Sequence, residues 1–165
     1  MRLRSQSTGF TLVECSLASA VLAIAVLAFC VAVTSGHMQS AHAVRAEQAK
    51  RLAEELMEFA LRLPYFDPQG GGVLGPDPGE LGLLNYDNID DLHGYEQQPG
   101  GLKGVGQNLH PDAYQMFGRG VTVEYATETV SDLGGSLPGL TVTVWVDDSK
   151  ACAYTITRFV PEPVY

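Results

Sequence analysis

The chain predicts an α+β fold: a long N-terminal helix whose first half suits a membrane, packed on a small three-stranded antiparallel sheet. Three observations carry this reading. No charged residue occurs from Cys15 to Ser35, and an apolar run beyond about 18 residues reads as a membrane helix rather than a buried strand. No proline interrupts Phe10 to Leu63. After residue 118 the hydrophobic pattern changes to alternation, the mark of strands with one buried face.

Residues 1–9 form a short polar leader carrying Arg2 and Arg4. From Phe10 to Leu63 helix formers dominate, so one continuous helix of about 80 Å is expected at about 1.5 Å per residue. Its first part, residues 10–35, is apolar all round. Over residues 36–63 it becomes amphipathic: Ala49, Leu52, Ala53, Leu56, Phe59, Ala60 and Leu63 recur at spacings of three and four, a stripe that should lie on the sheet. The opposite side carries Glu47, Arg51, Glu55, Glu58 and Arg62 and reads as a solvated face with i to i+4 ion pairs. Thr34-Ser35-Gly36 is a weak point where the helix is expected to loosen. Pro64 stops it.

Residues 64–118 hold 12 of the 18 glycines and 6 of the 9 prolines, so regular structure is not expected there. Residues 119–165 supply the sheet. Val121, Val123 and Tyr125 alternate with polar neighbours, as do Leu140, Val142, Val144 and Val146. Cys152, Tyr154, Ile156, Arg158 and Val160 form a third run. The Gly134-Gly135 and Pro138-Gly139 signals should separate the first strand from the second, and Asp147 to Lys150 should close a hairpin between the second and third.

Glu14 is the residue that most needs explaining. It stands at the head of the apolar span, where an ionisable group demands a partner. The six residues Gly9-Phe10-Thr11-Leu12-Val13-Glu14 behind a basic leader resemble the prepilin processing site of type IV pilins and type II secretion pseudopilins. The likeness is close over residues 1–35 and looser beyond. It implies cutting by a prepilin peptidase between Gly9 and Phe10 and N-methylation of Phe10. The new amine and Glu14 would lie one turn apart on one helix face, and pairing between neighbouring subunits would set axial register, as buried polar groups do in coiled coils. The resemblance further implies a minor pilin or pseudopilin, stored as a single-pass inner-membrane protein with its N-terminus cytoplasmic and its C-terminal domain periplasmic. Its partners would then be other pilin or pseudopilin subunits, membrane lipid, the peptidase and an inner-membrane assembly platform driven by an ATPase. Arg2 and Arg4 agree with that orientation.

Two alternatives stand beside it. An ordinary secretory signal with a cut after Ala41-His42-Ala43 is opposed by an apolar stretch longer than the usual h-region of about 7 to 15 residues, and by Glu14 within it. A membrane-tethered binding module that does not polymerise is the rival function.

Other chemistry is sparse. The formal net charge of −9 leaves no basic stripe for nucleic acid. There is no P-loop, CxxC, HExxH or dinucleotide fingerprint, no cofactor is expected, and the chain reads as a non-enzyme. His37 and His42 do not share a helix face, and His93 and His110 are expected in solvent-exposed loops. Cys15 and Cys30 fall in the apolar span, and Cys152 should be buried on a strand. The segment Tyr86 to Tyr95 is acidic with aromatic ends, similar to one found after the long helix in some minor pilins. Asp87, Asp90 and Asp91 within it are calcium candidates, but their spacing does not match an EF-hand, and capping of turns is the simpler role.

Overall fold

The computed structural model describes residues 11–68, 70, 73–130, 135–148 and 154–164. Gly9, Phe10, Cys152 and the tip of the expected hairpin after Asp148 therefore lie outside the described residues. Helix α1 runs Leu12–Ala60, and the chain divides into two compact units, Met1–Ala43 and Val44–Tyr165.

In the first unit α1 is long and apolar enough to cross a membrane. Three of its hydroxyls are satisfied within the helix. Ser16, Ser19 and Thr34 donate their hydroxyls to the carbonyls of Leu12, Cys15 and Cys30 at 2.9, 2.8 and 2.9 Å, which removes their need for outside partners. The expected loosening at Thr34-Ser35-Gly36 does not occur, and α1 continues through it unbroken. Cys15 and Cys30 are free thiols on the exposed surface of this segment.

In the second unit the expected helix stripe is the core. Ala49, Leu52, Ala53, Leu56, Met57 and Ala60 are buried with Val121, Val123, Val142, Val144 and Val146. The helix ends in a tightening turn: Arg62 and Leu63 donate to the carbonyls of Phe59 and Ala60, the i to i+3 pattern common before a proline.

The sheet has four strands among the described residues, not three, in the order β1 (Glu96–Gln97), β2 (Phe117–Val130), β3 (Gly135–Asp148), β4 (Tyr154–Pro161). All pairs are antiparallel, with Val121 opposite Val144 and Val144 opposite Ile156. Two residues of β1 carry no alternation, so sequence pattern could not reveal them. The outer edge of β2 is covered further by Gly94 and Tyr95, which exchange backbone bonds with Val121. His93 extends that edge, its Nδ1 lying 2.7 Å from the Val123 carbonyl and 3.2 Å from its amide. An imidazole there takes the place of a strand residue and shields an open ladder.

Pro138 and Gly139 do not separate strands; both lie inside β3, opposite Thr127 and Ala126. Pro138 is tolerated because its carbonyl accepts from Glu162 at 2.9 Å. The nitrogen of a strand residue points the same way as its carbonyl, so the missing N–H faces β4 at its end and costs no bond to β2. Gly139 meets a packing demand, since a Cβ there would sit 2.4 Å from the Val160 carbonyl and 2.6 Å from the Phe159 ring.

The glycine-rich segment 64–118 is more ordered than its composition suggests. Besides β1 it contains short 3₁₀ turns at Asp90–Leu92 and Asp112–Tyr114. Gln115 organises much of it: its amide nitrogen donates to the Leu102 and His110 carbonyls, while its oxygen accepts from the Leu102 amide.

Candidate functional site

At the head of α1, Thr11 and Glu14 form a reciprocal cap. The Thr11 amide and hydroxyl each donate to Glu14 Oε2 at 2.9 Å, and the Glu14 amide donates to Thr11 Oγ1 at 3.3 Å. This is a capping box, whose Thr-x-x-Glu signature stands in the sequence as Thr11-Leu12-Val13-Glu14 and was available to sequence reasoning. It satisfies amides that the first helical turn cannot pair internally. The carboxylate thus has a local role distinct from any contact with an amine at Phe10, a residue outside the described region. Glu14 also begins one apolar side of the helix, continued by Leu17, Ala18, Val21, Leu22 and Ala25.

The second constellation is the acidic segment. Its aromatic ends meet: the Tyr86 and Tyr95 rings lie edge to face at 6.1 Å and 88°. Burial pushes the Tyr95 hydroxyl up to about 12. Asp91 Oδ2 accepts from the amides of Asp87 and Asn88 at 2.9 and 3.1 Å, and the Asp91 amide donates to Asn88 Oδ1 at 3.1 Å. Asp91 therefore caps a turn, as its residue type allows. Of the three calcium candidates, Asp87 and Asp91 come together with Glu80, one oxygen of each lying within 4.8 Å of the others. Asp90 is not in that group. Glu80 Oε2 already accepts from the Asp77 amide at 3.1 Å, and burial raises its pKa. Three carboxylates, two of them engaged with backbone, fall short of the about six to eight oxygens calcium takes.

The third constellation overturns two expectations. Glu55 does not sit on a solvated face. It accepts from Arg119 Nη1 and from the Val105 amide, each at 3.1 Å, and its Oε2 lies 3.1 Å from His110 Nε2. His110, beside Glu55, and His93, against Val123 of β2, are half-buried rather than solvent-exposed. Arg119 is wholly buried and was not singled out, although its parity with Val121 and Val123 on β2 places it on the inward face. Its guanidinium also donates to Gln97 Oε1, the Leu52 carbonyl and the Lys103 carbonyl at 2.9, 3.0 and 2.7 Å. An arginine can be buried only if paired and bonded in this way. The remaining charges of the helix behave as expected, with Glu47 to Arg51 and Glu58 to Arg62 pairing at 3.0 and 3.6 Å on exposed surface.

These three groups cap a helix, cap a turn and clamp a core. Comparison with protein-family models, with curated proteins and with solved structures finds no match to this chain.

Proposed function

We propose that the chain is a minor pilin or pseudopilin, a membrane-stored subunit drawn into a type IV pilus or a type II secretion pseudopilus. The observation that carries the reading is Glu14 at the head of an uncovered apolar helix face. Leu12, Val13, Leu17, Val21, Leu22, Ile24, Leu27 and Phe29 are all more than half exposed, while the later part of the same helix supplies the core of the sheet unit. Lipid can cover such a segment, and so can equally apolar neighbours. The prepilin-like residues Gly9 to Glu14 favour the second as the end state. In that state the amine created at Phe10 pairs with Glu14 of an adjoining subunit, exchanging for the Thr11 bonds. Periplasmic orientation, peptidase processing and the assembly platform belong to the same proposal.

Two measurements test it. Mass spectrometry of the mature chain should find it beginning at Phe10 with one added methyl group; a start at Met1 or Val44 overturns the reading. Glu14→Ala should abolish incorporation into filaments while membrane insertion persists. If the variant is displayed and binds its ligand as before, the tethered, non-polymerising module is the correct description.

A further inference from the structure

A cleft of about 390 Å³ opens in the sheet unit between the segment after α1, the 3₁₀ turn at Asp90 and the far ends of β2 and β3. Tyr65, Phe66 and Tyr125 give it aromatic walls, and Asp67, Asp90 and Glu162 give it carboxylates. No basic residue lines it among the described residues. Tyr65 and Phe66 stand edge to face at 5.0 Å, and Tyr125 is exposed at the rim.

Asp90 is the unusual member. It is only 7 % exposed, its carboxylate is bonded to its own amide, and the charges that act on it are those of Asp91, Asp67 and Asp77. No basic group reaches it among the described residues. A buried carboxylate without a counter-charge is costly, and burial raises its pKa to about 6. It also lines the cleft.

The chemistry of the walls narrows the occupant. Anions are repelled by three carboxylates. Calcium wants about six to eight oxygens, and ring carbons provide none. A cation with an alkyl stem is attracted by both the rings and the acids. We infer that this cleft binds an organic cation, an alkylguanidinium or alkylammonium group, with Asp90 and Glu162 as counter-charges and Tyr65, Phe66 and Tyr125 as walls. The inference does not depend on whether the chain forms filaments.

Calorimetric titration of the full chain in dodecyl maltoside near neutral pH tests it. Propylguanidinium and propylammonium should bind saturably and neutral propylurea should not. Asp90→Asn should weaken propylguanidinium about tenfold or more, as loss of a charged hydrogen-bond partner does. Tyr125→Ala, at an exposed position that leaves the core intact, should weaken it about threefold, as loss of one exposed cation–π contact does. Glu162→Gln, also exposed, gives a second charge test should Asp90→Asn fail to fold. A blocked peptide, Gly-Arg-Gly, separates two sources of the same chemistry: tighter binding than propylguanidinium assigns the cation to a partner chain, equal binding to a free small molecule. Propylurea binding as well as propylguanidinium, parental affinity in Tyr125→Ala and Glu162→Gln together, or heat from calcium chloride alone with none from the organic cations would overturn the assignment.

Discussion

Glu55 joins three parts of the sheet unit through one carboxylate: strand β2 by Arg119, the loop at Val105 by its amide, and His110. Glu54 and Glu58, close to it on the chain, pair instead with Lys50 and Arg62 four residues away. The three glutamates look alike in sequence because the distinguishing partner lies 64 residues away. That is why this part of the molecule was not legible, whereas the apolar stripe from Ala49 to Ala60, whose partners are interchangeable hydrophobes, was. Removing the charge leaves the buried Arg119 guanidinium without its counter-charge, so Glu55→Gln should destabilise the chain by about 3 kcal/mol, read by chemical denaturation. Arg51→Ala, breaking an exposed pair, should cost under about 0.5 kcal/mol in the same assay. Asp90 gives a different signature. Its folded pKa of about 6 lies above the ordinary carboxylate value of 3.8, so the folded state binds the proton more tightly than the unfolded state does. Its contribution to stability is therefore greatest at low pH and declines as pH rises from about 4 to about 6. Asp90→Asn should flatten that part of the stability profile and leave the chain more stable at neutral pH than the parent. An unchanged profile would mean that Asp90 is not buried as a charge.

At the scale of elements, the central strands were readable because alternation reports burial directly. Their ends were not. Pro138 and Gly139 are turn-forming residues in isolation, and only the end of β4 beside them explains why β3 runs through both. Two-residue β1 exists because β2 needs an edge partner, a requirement invisible within its own sequence. Its neighbour Gly120 shows how tightly that edge is built. A Cβ at Gly120 would lie 2.4 Å from Trp145 Cζ2 and 2.9 Å from the Tyr95 carbonyl. Gly120→Ala should therefore cost about 1 to 3 kcal/mol through overpacking. The chain has one tryptophan, so the displaced Trp145 ring should also show a red-shifted emission; unaltered emission and stability would contradict the close approach of ring and backbone.

The whole chain combines an apolar segment left exposed with a unit that buries its own core. Glu14 lies in the first unit and the sheet core in the second. Glu14→Ala should accordingly leave the denaturation midpoint of the sheet unit unchanged to within about 0.5 kcal/mol, measured by tryptophan fluorescence, even where it abolishes assembly. That separation distinguishes a failure to assemble from a failure to fold. The membrane-compatible segment and the α+β layout were both legible from charge distribution and periodicity. The cleft at Asp90 was not, because its walls come from five stretches of chain that only the fold brings together. The Arg119 cluster has a mechanical corollary. Greasy contacts between a helix and a sheet resist separation but have little directional preference and permit sliding, whereas bonds from one guanidinium to the Leu52 carbonyl and Glu55 on α1, and to Gln97 and Lys103 beyond it, hold only at one register. A pull along the helix would load this polar latch before it strained the apolar seam, so the sheet would travel with the helix instead of slipping along it.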